Sequence, residues 1–413
     1  MKKILSLIAL LLLLFLAACA EAEPEWVFPE NDEDVRLFVL TASSDDKNML
    51  IYTMRGAYPT AVTDLYLLNP SSGVCTRLDF SKHANEEAAI AAIKLRYVND
   101  YTFKDKNIDE LLPILFEREN ITDPYTYLIS RGHNRRAVLM DVRDDYALIM
   151  LPDYCYIVVN LKTGEAYIPK DDTRALGADG TYIAWDYDMV YHYGPGAELL
   201  KTYLPELPEG TSISRAYLND DGSLAICALS MGDKTFNHTF ILTDDKGNAE
   251  KVYTLNPSSN MFSNILASPN GKTYVVFNPS SSMVYPAYFI DTESDAINML
   301  RLDSAIFLNK YLYTAVQTAY DSEAKYETKL LPLRMTSQNE LIALAVTGDS
   351  DLVKINLDNN KVTVLLTGNQ WRNLKDAKFA GDTMNQTLLV TLQSHNGSQI
   401  LCVYPGGAIR HEP

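Results

Sequence analysis

The segment Ile157-Val158-Val159-Asn160-Leu161-Lys162-Thr163-Gly164-Glu165-Ala166-Tyr167-Ile168-Pro169 reads as strand, turn, strand. Apolar, mostly β-branched residues precede the turn, Asn160 and Gly164 supply its chemistry, and Ala166, Tyr167 and Ile168 restart a pleated run. The shape recurs. Residues 69–73 follow Tyr66-Leu67-Leu68, 243–247 follow Phe240-Ile241-Leu242, 291–295 follow Tyr288-Phe289-Ile290, and 356–360 follow Val353-Lys354-Ile355. Each copy places a polar turn-former first and Gly, Asp or Asn four residues later. Such hairpins cannot bury their own apolar faces and need stacked copies of themselves, so the expected fold class is all-β, a single β-propeller.

Blades can be laid out along the chain. The first is expected over 35–80, with 36–42 and 49–54 as inner strands and 64–78 as the outer hairpin. A helical insertion, 81–124, interrupts the pattern: Asn85 is a cap, Glu86 and Glu87 suit a first turn, and Ile90, Ile93 and Tyr97 recur at helical spacing. A second helix starts at Asn107, with Glu110 three residues on and the stripe Leu111-Leu112-Leu115-Phe116, and Pro113 is expected to kink or shorten it. The two stripes either pack on the ring rim or stay partly exposed to dock a partner. The β pattern is expected to resume near Tyr125. One blade then covers 137–168, another 174–204, two more carry 218–226 and 267–276, and the last two cover 341–366 and 376–411. Residues 301–335 are strand-like without a clear outer turn. Excluding the insertion, the propeller region 35–413 gives about 48 residues per blade for seven blades or about 42 for eight, against a typical span of about 40–50. Seven is the expectation and eight the alternative, with the ring closed by pairing N- and C-terminal strands.

The N-terminus carries an address. Lys2 and Lys3 precede an apolar run, 4–16, too short to span a bilayer as a relaxed helix. Leu16-Ala17-Ala18-Cys19 follows and resembles the lipobox of bacterial lipoproteins. That resemblance implies removal of residues 1–18 as a signal peptide, a diacylglyceryl group on the Cys19 sulfur, and further acylation of the new amine. Each buried methylene would add about 0.8 kcal/mol to anchoring. An ordinary secretory peptide cut near Ala18 is the alternative. Residues 19–34, rich in Glu, Asp, Ala and Pro, have too few apolar groups for a core and read as an acidic tether, unless Trp26 and Phe28 dock on the first blade.

Two further phrases are repeat turns: Leu218-Asn219-Asp220-Asp221-Gly222-Ser223-Leu224 and Ala267-Ser268-Pro269-Asn270-Gly271-Lys272-Thr273. The second resembles the Ser-Pro-Asp-Gly-Lys turn of WD40-like repeats in the TolB family and in prolyl-oligopeptidase-type propellers, with Asn270 in the usual Asp position. The resemblance implies that this turn links the first and second strands of a blade. It identifies architecture and says little about activity.

Chemistry is sparse. The 36 basic and 53 acidic side chains give a formal charge of −17, or −19 without Lys2 and Lys3, which argues against nucleic acid, whose phosphates require clustered Lys and Arg. Cys75, Cys155, Cys227 and Cys402 are isolated, although Cys75 and Cys402 fall in blades that a closed ring would make neighbours, where a disulfide is one option. Trp185, Tyr187, Tyr191, His192 and Tyr193 form either a sugar platform or alternating core faces. The pairs Asp144-Asp145, Asp171-Asp172, Asp220-Asp221 and Asp244-Asp245 fit solvated turns better than Ca²⁺ ligands or an acid/base pair. The six His (83, 133, 192, 238, 395 and 411) are far apart in sequence. No Gly-x-Ser-x-Gly elbow, P-loop or metal spacing occurs.

The expected function is a lipid-anchored, extracytoplasmic, monomeric, non-catalytic binding or assembly platform for another protein. No enzymatic activity, cofactor, metal or nucleic acid is expected. The alternatives are a carbohydrate-binding or carbohydrate-processing surface lipoprotein and an enzyme with an axial-channel site. The anchor is directly testable: globomycin should leave uncut precursor, and Cys19→Ser should abolish labelling with palmitate. Membrane fractionation of Cys19→Ser identical to that of the parent would contradict it.

Overall fold

The computed structural model describes residues 35–412, with gaps at 56–61, 99–106, 131–137, 278–286, 301–328, 367–376, 382–387 and 404–408 and at shorter segments, mostly in turns. Cys19, the signal segment and the tether lie outside the described residues, as do most of the strand-like residues expected over 301–335. Among the described residues the strands form seven four-stranded antiparallel sheets, each built from four consecutive strands. The first four sheets are β1–β4 (Val35–Ala42, Met49–Arg55, Val62–Asn69, Val74–Arg77), β5–β8 (Val138–Arg143, Tyr146–Met150, Tyr156–Asn160, Ala166–Tyr167), β9–β12 (Thr173–Leu176, Tyr182–Trp185, Val190–Tyr193, Leu199–Tyr203) and β13–β16 (Ser212–Leu218, Leu224–Met231, Phe236–Thr243, Ala249–Ser258). The last three are β17–β20 (Asn264–Ala267, Thr273–Phe277, Ala287–Asp291, Ala296–Leu300), β21–β24 (Lys329–Ser337, Glu340–Thr347, Asp349–Asn356, Lys361–Leu366) and β25–β28 (Ala377–Gly381, Leu388–Ser394, Gly397–Val403, Ile409–Glu412).

The repeating turn works as its composition demands. Asn160 Oδ1 accepts the N–H groups of Lys162 and Thr163 at 2.9 and 3.1 Å, and Gly164 closes the turn at φ +78°. Asp291 accepts Glu293 and Ser294 in the same way, and Asp295 takes the left-handed position at φ 55°. A side-chain oxygen that bonds the next two amides and a residue tolerant of positive φ are the two requirements of this turn. The Ser268–Gly271 turn joins β17 to β18, first strand to second, with Ser268 Oγ accepting Thr273 N–H at 3.0 Å.

Consecutive sheets stack face to face. All five residues of β18 are buried: Tyr274 and Val276 join Ala225, Cys227 and Phe240 of the preceding sheet, while Val275 and Phe277 join Leu341, Ala343 and Val353 of the next. In β10, Tyr182 and Ala184 meet Leu148 and Val158 on one side, while Ile183 and Trp185 meet Ala216, Leu224 and Ile226 on the other. Period-2 alternation with both faces covered is the packing of a propeller blade. The first strands follow one another, β1 against β5, β5 against β9, β9 against β13, β13 against β17 and β17 against β21, and β1 also lies against β25, β26 and β27.

Ring closure differs from expectation. β1 hydrogen-bonds to β2, and the last sheet is made only of β25–β28, so among the described residues no sheet combines N- and C-terminal strands. The ends meet because β1 lies across the last sheet instead of joining it. Cys75 is likewise a free, buried thiol that burial pushes up to about 11, so the option of a Cys75–Cys402 bridge is not realised.

The helical insertion is longer than 81–124. Helices Glu86–Val98 and Ile108–Glu119 are as expected, but Pro124–Ser130 is a third helix where the strand pattern was expected to resume. Asn85 Oδ1 caps the first by accepting Ala88 N–H at 3.0 Å, and Asn107 bonds the Glu110 carboxylate and accepts Asp109 N–H in the second. Pro113 does not break that helix; it faces solvent, where water can reach the carbonyl it leaves unbonded. The third is started by Asp123, which accepts both the N–H and the hydroxyl of Thr126, with Pro124 in the first helical position. Tyr127, Leu128 and Ile129 are buried, and their packing overrides the strand preference of the aromatic and β-branched residues around them.

Ala89, Ala92, Ile93 and Leu112 pack with these residues and with Leu40, Leu50, Tyr52, Leu65, Ala147 and Ile149 of the first two sheets. Ile90, Leu111 and Phe116 are half-buried against the same cluster. The stripes are therefore part of the core, so the bland alternative is the one realised; Tyr97 and Leu115 have side chains outside the described set. Ile93→Ala should lower unfolding free energy by about 2–4 kcal/mol in urea titrations. A loss below about 1 kcal/mol, the scale of an ordinary surface substitution, would show that the helices are not integral to the sheets.

Candidate functional site

A set of ionisable side chains that bond across sheets lies on the first strands of three successive sheets. β5 contributes Asp141 and Arg143, two residues apart and hence on one face; β13 contributes Arg215 and Tyr217 in the same relation; Arg174 lies on β9 between them. β5 shifts register between Leu139 and Asp141, and β13 between Ile213 and Arg215. A bulge at each place re-aims the charged side chain that follows it.

Their bonds run across sheets. Asp141 Oδ2 accepts Leu176 N–H at 2.9 Å and Oδ1 accepts Val142 N–H at 3.0 Å. Arg143 donates to the carbonyls of Leu176 and Leu218 and to the Asp220 carboxylate, with its guanidinium 5.0 Å from the Tyr217 ring centre. Arg215 donates to the Arg174 carbonyl at 3.2 Å, and both guanidiniums lie 5.4 Å from the ring of Trp185. Burial pushes the Asp141 carboxyl above the usual range, opposed first by Arg215 and then by the Leu176 amide and Arg143. Burial also lowers Arg215, with Asp141 opposing. Each charge is compensated by an opposite charge or a bonded amide, as a buried ion needs. The network ties the second, third and fourth sheets together near their first strands. It escaped the sequence reading, although the alternations Asp141-Val142-Arg143 and Arg215-Ala216-Tyr217, charged or polar residues inside otherwise apolar strands, were the available signal.

The aromatic cluster does not form a sugar platform. Trp185 and Tyr193 are buried, Tyr191 and His192 are half-buried, and Tyr187 alone is exposed, at 81%. Burial lowers His192, aided by Arg143 and Lys201. The acidic pairs are turn residues, as expected where described: Asp221 accepts Ser223 N–H, Asp244 accepts Lys246 and Asn248 N–H, and Asp145 pairs with Lys162 at 2.5 Å. Asp171 and Asp172 lie outside the described residues. The histidines with described side chains, His83, His192 and His238, do not converge: His83 packs on Tyr167, His192 sits on β11, and His238 lies against Phe262. No group of three or more His, Cys, Asp or Glu among the described residues is arranged to hold a metal.

No sequence-family model and no curated protein matches the chain. Solved structures do. The β-propeller domain of the Trilobed protease from Pyrococcus furiosus, described as having an open velcro topology, aligns at 7% identity over 92% of this chain and 98% of that domain, TM-score 0.46. A puromycin-hydrolyzing peptidase of Mycobacterium tuberculosis aligns at 11% identity over 94% of this chain and 56% of its own, TM-score 0.45, so this chain spans about half the length of that enzyme. A putative TolB from Agrobacterium tumefaciens aligns at 11% identity over 57% of this chain and 77% of its own, TM-score 0.32. At these identities the likeness is one of fold, and the propeller class rests on the sheet order and packing above. The expectation that the chain is not an enzyme is withdrawn, because a peptidase and a protease domain stand among these matches.

His238 makes the acid response of the fold testable. It is fully buried, its Nε2 accepts Phe262 N–H at 3.0 Å, and burial lowers it from 6.5 to about 4. The unfolded chain takes up this proton near pH 6.5 and the native chain only near pH 4, so stability falls as pH drops through that window, by at most about 3 kcal/mol. His238→Gln should lose that share of the acid dependence in denaturant titrations at the two ends of the window. An unchanged dependence would show that His238 is not held neutral.

Proposed function

We propose that the chain is a lipid-anchored extracytoplasmic propeller that holds a protein partner close to a membrane. Its sheets act as seven blades of one ring, the last abutting the first, and the ring works as a monomer. Residues 1–18 are the signal peptide, Cys19 carries the lipid, 19–34 form the tether and 35–413 the propeller. The lipobox spacing supports the anchor, and among the described residues no helix is long and apolar enough to cross a membrane.

One observation carries the binding reading. Tyr187 and Met231, each 81% exposed, lie at the same end of adjacent sheets. Tyr187 O accepts Ile213 N–H at 2.9 Å, which brings the β10–β11 turn to the start of β13, and there Ser212 pairs with Leu229, two residues from Met231. Large side chains of these two types are enriched where proteins meet. Gly210, two residues before Ser212, stands at φ +73° with open space where a side chain would be.

The partner surface can be mapped in cells. A photo-cross-linking amino acid placed at position 187 or 231 of the full-length chain should give discrete protein adducts. The same group at position 246, in the turn at the opposite end of the fourth sheet, should give none. Equal adducts from all three positions, or adducts from 246 alone, would overturn the assignment.

A further inference from the structure

At the seam between the third and fourth sheets two guanidiniums share one aromatic ring and leave most of their donors unused. Arg174 is a bulge residue: Thr173 pairs with Ala184 and Ala175 with Ile183, so no residue of β10 stands opposite it. A residue left out of the ladder in this way is re-aimed. The Arg174 side chain is exposed and its guanidinium lies 5.4 Å from the ring centre of Trp185. Arg215, from β13 of the next sheet, is half-buried and lies at the same distance from the same ring.

Donors outnumber acceptors here. A guanidinium carries five N–H groups. Arg215 spends one, on the Arg174 carbonyl at 3.2 Å. Among the described residues the Arg174 side chain donates to no acceptor, and neither guanidinium has a carboxylate within ion-pair distance. Charge is unbalanced as well. Arg143 is paired with Asp220, and Asp141 offsets Arg215 from beyond bonding distance while it holds the Leu176 and Val142 amides. Asp186, next to Trp185 in the chain, accepts the Tyr191 hydroxyl at 3.2 Å. Three guanidiniums therefore face two carboxylates, and Arg174 is the cation left over, in a chain whose formal charge is −17. Burial lowers Arg215, and the nearby positive charge of Arg174 lowers it further.

We propose that this guanidinium pair binds a carboxylate monoanion. The two carboxylate oxygens take the solvent-facing fork of Arg174, and Arg215 supplies a second positive charge. The planar fork of a guanidinium matches the two oxygens of a carboxylate bond for bond. The choice of a monoanion follows from the charges: one surplus cation is satisfied by one negative charge, whereas a phosphate dianion would bring a second toward Asp141. The Trp185 ring holds both guanidiniums in advance, so little side-chain freedom is lost on binding. A free small acid or a carboxylate borne by a protein supplies the same chemistry. The site adjoins the end that carries Tyr187, since Tyr187 O accepts the N–H of Ile213, two residues before Arg215. It does not depend on that end being a docking surface.

Tryptophan fluorescence of the detergent-solubilised full-length protein, titrated with sodium acetate at an ionic strength held constant with sodium chloride, tests it. Acetate should give a saturable change, and methyl phosphate should bind more weakly. Arg174→Gln should weaken acetate at least about tenfold, the scale of a hydrogen bond to a charged group, and Arg174→Lys, which keeps the charge and loses the fork, should fall between. Trp26 and Trp371 are common to parent and variants, so the difference reports on Trp185. Arg174 is exposed, and an unchanged urea midpoint verifies that the variants fold. No saturable change up to about 100 mM acetate, a ceiling weaker than useful recognition, would overturn the proposal. So would equal affinity in Arg174→Gln, or methyl phosphate binding as tightly as acetate. The source is read in cells with the photo-cross-linking amino acid at position 187. Protein adducts that vanish in Arg174→Gln assign the carboxylate to a protein partner; adducts that persist, with acetate still bound by the parent, assign it to a small acid. An absence of adducts from the parent itself, with acetate bound, also leaves the site to a small acid and counts only against the docking surface.

Discussion

Every sheet described on both sides is buried on both faces, and the rest of the structure follows from that. A four-stranded sheet with one apolar face can rest on a single partner, but β10, β14 and β18 present large apolar side chains in both directions. They are stable only between two neighbours, and the neighbours have the same need. A succession of such sheets closes its demand for burial by curving until the last meets the first, which is where β1 lies against β25–β27. Stability then resides in the seams between sheets. The turns at the two ends carry little of that burden, which leaves them free to take on recognition.

Much of this was legible because its causes are local. Asn160 and Asp291 each bond the amides two and three residues on, and the left-handed residue that completes the turn must be Gly, Asp or Asn, so the repeat is written in the sequence. The caps at Asn85 and Asn107 are equally local. What escaped depends on partners distant in sequence. Tyr125-Thr126-Tyr127 has strand-like composition, yet Tyr127 sinks into a core shared with Tyr52 and Leu65, and the Asp123-Pro124 start signal prevails. Trp185 looks like a ligand platform until Arg174 and Arg215 are found beside its ring.

The inner ionic network shows how a seam can be given specificity as well as stability. Apolar faces slide past one another at small cost, whereas Asp141 bonded to Leu176 N–H and Arg143 bonded to the Leu176 and Leu218 carbonyls admit one register between three sheets. A buried ion pair adds little net stability over an apolar replacement, so fixing register is the better account of its presence. The bulges before Asp141 and Arg215 are the backbone's part in this, because without them those side chains would point to the other face.

Strand direction assigns the turns to two ends of the sheets. One end carries the turns with Asp144, Asp145, Asp179, Asp220, Asp221, Asp244 and Asp245, many of them bonded to their own turn amides or, for Asp220, to Arg143. The other carries Met231 and Tyr187, the latter between the exposed Asp186 and Asp188, and strand direction puts the start of β1 there too: Val35 pairs with Arg55, the last residue of β2, so it lies at the end opposite the β1–β2 turn. The β1–β2 turn belongs to the first of these ends, since Asn48 donates to the carbonyl of Lys162 in the β7–β8 turn. With lipid on Cys19, the tether would therefore join the sheets at the end that carries Tyr187 and Met231. A partner held by Tyr187 and Met231 would then sit between the ring and the membrane, a geometry that favours proteins already confined to that surface, because confinement raises their effective concentration without any new contact.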